Sequence, residues 1–247
     1  MQARMVATCA VMTALLIALQ CVFGMIVGVE AVTVFFLTFC YVFGAKYGLL
    51  TATAFSLLRG IVFGFDPKVL VLYLVYYNAF ALLFGLMGRR KSEFAEKIGL
   101  FLLLLLVAGT LVAALVPLPV SALLEARLKV MLWALFGVLC ILLLLFILLP
   151  LVGVKRLRVG REAATLSAFA AACTVCFTLL DDVITPFWYG MSMESASGYF
   201  YTSFFAMVPQ TLCAAVSVLL LFLPLEQAFA VALPPAMKKQ RRRPISP

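Results

Sequence analysis

Histidine is absent from the 247-residue chain, and lysine, arginine, aspartate and glutamate together make up only 12% of it. The first absence removes the side chain most often used as a general base and metal ligand near neutral pH. The second excludes an ordinary soluble domain, in which about a quarter of the residues are charged. No G-x-x-x-x-G-K-[ST] phosphate loop and no G-x-S-x-G elbow occurs, so ATP hydrolysis and α/β-hydrolase chemistry lack their signatures. The seven cysteines, Cys9, Cys21, Cys40, Cys140, Cys173, Cys176 and Cys213, all lie in apolar stretches without the spacing of an extracellular disulfide framework. Cys173 and Cys176 form a C-x-x-C, but with no histidine and no second such pair the other ligands of a zinc site are missing, and no metal is expected.

What fills the chain instead is apolar: 66% of it. Runs near the length of about 20 residues needed to cross a bilayer recur throughout, so the expected fold is an all-α integral membrane protein. Spans are predicted at 5–24, 31–45, 47–63, 69–88, 98–116, 130–152, 163–180 and 197–223. Turn residues punctuate the linkers: Gly44 with Lys46, Phe65-Asp66-Pro67, Pro117 and Pro119, and Pro186 with Gly190. The first run is read as a retained span, because no small-x-small cleavage site leads into a polar mature region.

Eight spans return the chain to the side on which it starts. Lysine and arginine flanking spans are retained in the cytoplasm, and starting inside puts Arg4, Lys46, Arg89-Arg90-Lys91, Lys97, Lys155-Arg156, Arg158, Arg161 and the tail Lys238 to Arg243 there. Of nineteen basic residues only Arg59, Lys68, Arg127 and Lys129 fall elsewhere. Both termini are therefore expected in the cytoplasm, with Glu30, Asp66, Glu125, Asp181, Asp182 and Glu194 toward the outside. The tail KKQRRR is read as an orientation signal that touches anionic lipid, not as a nucleic-acid site.

Ionisable residues within or bordering spans are functional candidates by default. Glu30 follows the first span, Arg59 lies toward the outer end of the third, and Asp181 and Asp182 close the seventh. Pairing of Arg59 with Glu30 or an aspartate is expected, with a purely structural ion pair as the plain alternative. Neighbouring residues on a helix point about 100° apart, so one aspartate is expected to face inward and the other to cap the helix or meet water. Pro186 is then expected to keep the following loop from resuming a helix. Trp188, Tyr189, Tyr199 and Tyr201 suit an interfacial aromatic belt or a flat ligand. Tyr73, Tyr76, Tyr77, Asn78 and Gln210 add hydrogen-bonding groups at greater depth, which serve neighbouring helices more often than ligands. Ala10, Ala14 and Ala18 repeat every four residues and make a small-residue face on which another helix can pack.

The segments VFFLTFCYVFGAKYGLLTATAFSLLRGIVFGF, YLVYYNAFALLFGLMGRR, FTLLDDVITPFWYG and YFYTSFFAMVPQTLCAAVSVLLLFLPL resemble the substrate-binding S component of energy-coupling factor (ECF) transporters, over residues 5–91 and 163–229. The resemblance implies a prokaryotic cytoplasmic-membrane protein with no catalysis and no cofactor of its own, which captures a vitamin or similar micronutrient from outside. It implies as partners a transmembrane coupling subunit, met through Ala10, Ala14 and Ala18, and two cytoplasmic ATPases that use ATP. Substrate contacts would come from Glu30, Arg59, Tyr73, Tyr77, Asn78, Asp181, Asp182, Trp188, Tyr199 and Gln210. Such proteins have six helices, so residues 92–160 are expected as an inserted hairpin between a four-span part, 1–91, and the last two spans, 161–229. These last spans would be joined by an outer loop, 181–197, and followed by the basic tail, 230–247.

Two other classes compete. An intramembrane lipid-handling enzyme would use Asp181 or Asp182 as base and Arg59 to hold phosphate, and a self-contained ion-coupled carrier would show inverted repeats and broken helices.

Overall fold

The computed structural model describes residues 2–26, 28–88, 93–117, 121–148 and 155–233. Pro119 and the basic clusters at 89–91 and 238–243 lie outside them, as do the side chains of Lys155, Arg156 and Arg158. Among the described residues the chain forms eight helices and no strand: α1 Gln2–Phe23, α2 Val32–Phe43, α3 Ala45–Phe63, α4 Pro67–Met87, α5 Glu93–Leu115, α6 Ala122–Leu148, α7 Lys155–Tyr189 and α8 Met193–Ala232. Six of them, α1 and α4 to α8, are long and apolar enough to cross a membrane. The eight crossings expected from the sequence are thus six full-length helices plus two lesser ones. At 12 residues α2 rises about 18 Å, well short of a hydrocarbon core of about 30 Å. The 19-residue α3, which carries Lys46, Thr51, Thr53, Ser56 and Arg59, is not among the six.

The chain divides into two compact units. Unit 1 comprises Met1–Leu19, Val34–Ser92 and Leu221–Pro247. Its α3 and α4 form a closely packed hairpin. Asp66 starts α4 as an N-cap, accepting from the backbone N–H of Lys68 at 2.9 Å, with Pro67 behind it in the first turn. Proline costs nothing there, because its missing N–H has no partner in an α-helix. A Cβ on Gly85 would lie 2.3 Å from the Ala45 nitrogen and one on Gly48 2.9 Å from Cys40 Sγ, so these glycines set how closely the helices approach. Phe36, Tyr77, Phe80, Phe55 and Tyr73 fill the interior as an aromatic cluster, with Phe36 and Phe80 stacked at 5.6 Å.

Unit 2 comprises Gln20–Thr33 and Glu93–Leu220. Here α7 is central, packing against both α5 and α6. Every residue from Ala163 to Ala171 is buried, and most are small, which lets neighbouring backbones approach from several sides. Ser167 Oγ donates to the Ala215 carbonyl of α8 at 2.6 Å, and Gly99 of α5 faces Thr165. Along α6 the buried positions are Leu128, Leu132, Leu135, Leu139, Leu142 and Phe146, a 4-3-4-3-4 spacing that keeps one stripe turned inward. Arg161 of α7 pairs with Glu96 of α5. The segment expected as an inserted hairpin therefore supplies α5 and α6 to the packing around α7.

Candidate functional site

The seventh helix does not end at the aspartates. It continues through Asp181, Asp182 and Pro186 to Tyr189, which corrects the outer loop expected over 181–197 to the short connection at 190–192. Proline in a last turn removes a single intrahelical bond, here the one to the Asp182 carbonyl, so the helix survives it. The stop is Gly190, whose φ of 60° is left-handed. Met191 N–H bonds the Pro186 carbonyl at 2.9 Å and Gly190 N–H the Phe187 carbonyl at 3.4 Å, the paired closure of a Schellman motif. Likewise α8 begins at Met193 rather than at 197.

Because both aspartates are helical, their side chains diverge and are held separately. Asp181 accepts from Thr185 Oγ1, one turn on, at 2.9 Å and from the Tyr199 hydroxyl of α8 at 2.8 Å. Asp182 is 7% exposed and accepts through Oδ2 from Ser203 Oγ of α8 at 2.6 Å. Its Oδ1 is buried and has no hydrogen-bond partner. Tyr199 and Ser203 stand four residues apart, so one face of α8 presents hydroxyls one turn apart to two successive carboxylates on α7. Asp182 is thus the buried member of the pair and Asp181 the partly exposed one, and each is clasped across to α8. Beyond them Phe187, Trp188, Tyr189 and Met193 are exposed around the hairpin tip.

Glu30 lies in the connection between α1 and α2. Its Oε1 accepts from the backbone N–H of Thr33 at 3.1 Å and from the Thr33 hydroxyl, next to the α2 N-terminus where a carboxylate is favoured by the helix dipole. Burial nevertheless raises its carboxyl above the usual range, with the Thr33 bonds pulling the other way. Gly28, with φ 85°, lays this connection against Pro209 of α8, where a Cβ would come within 2.4 Å of the ring. One turn further along α8, Cys213 Sγ meets the Glu30 backbone at 3.2–3.3 Å. Gln210 is half-buried beside Pro209.

These residues all belong to unit 2. Arg59, Tyr73, Tyr77 and Asn78 belong to unit 1 and form a different arrangement. The Arg59 guanidinium carbon lies 4.2 Å from the Tyr73 ring centroid and 5.7 Å from that of Phe63, within cation–π range. Tyr73 stacks on Tyr77 at 5.2 Å. Asn78 accepts from Thr53 Oγ1 at 3.2 Å and donates to the Leu74 carbonyl at 2.7 Å. On α1 the ladder Ala10, Ala14, Ala18 is exposed, while Met5, Cys9, Met12, Thr13 and Leu16 are buried.

Sequence reasoning missed Thr33, Thr185, Ser203 and Cys213. For Thr185 the i+4 spacing from Asp181 and for Thr33 the i+3 spacing from Glu30 point to the pairing; Ser203 and Cys213 sit on an element far away in sequence from their partners. It also treated Phe65-Asp66-Pro67 as a turn alone, although aspartate followed by proline is an N-cap signal. Among the described residues no group of three or more cysteine, aspartate and glutamate side chains is positioned to hold a metal ion.

Helices of this length and apolarity define a multi-pass, all-helical membrane protein. No family model matches the chain, and neither a curated protein nor a solved structure matches it.

Proposed function

We propose that this protein is the substrate-capturing membrane subunit of an ECF-type transporter, binding a vitamin or similar micronutrient from outside and passing it inward with a coupling subunit and two ATPases. The observation that carries the reading is the polar array of Asp181, Asp182, Thr185, Tyr199 and Ser203 where α7 and α8 meet. Helix pairs in lipid pack well with small apolar residues alone, so ionisable groups kept there at a cost are the groups to expect at a ligand site. Asp181, partly exposed and joined to an aromatic hydroxyl, is the member of the pair that faces ligand. Trp188 and Tyr199 add flat surface near it.

Support for an association partner comes from α1. Its alanine ladder is exposed, and small side chains on an outer helix face permit close approach by a helix from another subunit. The excess of lysine and arginine on predicted inner segments supports cytoplasmic termini. The absence of nucleotide and hydrolase motifs supports a subunit that borrows its energy.

Mass spectrometry of small molecules released from gently purified protein tests this. A stoichiometric water-soluble micronutrient, lost in Asp181→Asn, is expected. Phospholipid alone, unchanged by that substitution, would overturn the capture role and move lipid handling ahead of it.

A further inference from the structure

We propose that Asp182 is a proton-binding site of the α7–α8 hairpin: its carboxyl group carries a proton at neutral pH while the two helices are packed, and gives it to water when they part. This goes beyond ligand capture and stands or falls separately from it.

The geometry requires a compensating species. Asp182 is 7% exposed, its Oδ2 has a donor in Ser203, whose hydroxyl also lies 2.8 Å from the Phe200 carbonyl, and its Oδ1 is buried without any among the described residues. An ionised carboxylate in that setting would leave a buried charge uncompensated, which is among the costliest arrangements in a folded protein. Asp181, adjacent on α7, adds a second carboxyl nearby. Among the described residues of unit 2, no basic side chain pairs with Asp182. From α8 comes the Tyr199 hydroxyl, which is engaged with Asp181. Toward the corresponding end of α6, Lys129 is paired with Glu125 at 2.7 Å, Arg127 is exposed, and neither pairs with Asp182. The last turn of α5 carries no ionisable residue. Glu30, the other acid of the unit bound to α8, is held by Thr33.

Size then selects the ligand. An oxygen with no access to solvent has no room beside it for a metal ion or an ammonium group, whereas a proton requires none. On release the O–H bond breaks, its electron pair stays on Oδ1 and the proton passes to water admitted between the helices. Packing the hairpin therefore takes up a proton, so acidification favours the closed arrangement and alkalinisation the open one, as linkage requires.

Infrared difference spectroscopy on the full chain in lipid nanodiscs reads this directly. A protonated-carboxyl C=O band, shifted by deuteration, is expected at neutral pH. It should vanish in Asp182→Asn and persist in Asp181→Asn and Glu30→Gln. Ser203→Ala, a mild change that keeps the carboxyl, should move the band to higher wavenumber, because it removes the hydrogen bond to Oδ2. No band in the unsubstituted protein, a band lost with Asp181 or Glu30 instead, or a band unmoved by Ser203→Ala would each overturn the inference. The serine variant decides the matter even where Asp182→Asn does not fold.

Discussion

The hairpins α3–α4 and α7–α8 differ in what joins their helices. In α3–α4 Ser56 Oγ and Asn78 Nδ2 bond the Ala52 and Leu74 carbonyls of their own helices, a neutral hydrogen bond from Thr53 Oγ1 to Asn78 crosses at 3.2 Å, and Arg59 of α3 meets α4 through the face of the Tyr73 ring. The helices are then brought together by missing side chains at Gly48 and Gly85. In α7–α8 the carboxylates reach across to the partner helix, to Tyr199 and Ser203. Side-chain length accounts for part of the difference. Arginine has a long stem and a flat head that finds its own surface, whereas aspartate is short and must be met by a donor. The first hairpin is thereby fixed by shape and the second by hydrogen-bond register.

The largest effect should come from shape. Gly85→Leu drives a side chain into the Ala45 backbone, which cannot swing aside as a flexible side chain would. A loss of about 3 kcal/mol is expected for such overpacking, measured as a drop in thermal unfolding midpoint in detergent. An unshifted midpoint would mean that α3 and α4 are not packed through this glycine.

In the second hairpin the test is coupling. A double-mutant cycle of Asp181→Ala and Tyr199→Phe should give an interaction energy of about 0.6–1.7 kcal/mol, the range for hydrogen bonds between membrane helices. Additive effects would sink the clasp and leave small-residue packing to hold α7 to α8. A smaller change is expected at Arg59, where lysine keeps the charge but loses the planar stack on Tyr73. Arg59→Lys should cost about 0.5–1 kcal/mol, and Tyr73→Leu should remove most of the difference between the two cations. If the arginine and lysine forms are equally stable, the ring contact contributes nothing.

The same contrast explains what the sequence revealed. The long helices announce themselves as apolar runs, and Asp181, Asp182 and Arg59 stand out because charge is rare around them. Inward faces do not stand out. On α6, Leu128 and Leu132 are buried while Val130, Met131 and Trp133 are exposed, and all are apolar because lipid replaces water outside. Hydrophobicity has no contrast to offer there. Ser203 and Cys213 were invisible as partners because recognising them requires knowing which face of α8 meets α7 or the Glu30 connection. The end of α7 lies beyond the expected boundary for a different reason: Pro186 reads as a breaker, although a proline in the last turn costs one bond and Gly190 carries the stop.

The smallest effect sharpens the comparison at a third place, the connection before α2. Glu30 is held by Thr33 within four residues of chain, a local solution like those of Ser56 and Asn78 Nδ2, yet it sits in the unit that contains the cross-helix clasps. Burial raises its carboxyl above the ordinary value of 4.5 and the Thr33 bonds only partly offset this. The folded chain therefore binds this proton more tightly than the unfolded chain. As pH rises from about 4.5 the unfolded form ionises first, so this residue's contribution falls until the pH has passed the folded value, and is then constant. Thermal unfolding midpoints measured across that window should decline with pH in the unsubstituted protein and decline less in Glu30→Gln. Equal slopes would show that Thr33 and the α2 N-terminus compensate the carboxylate fully, and that the local solution costs the fold nothing.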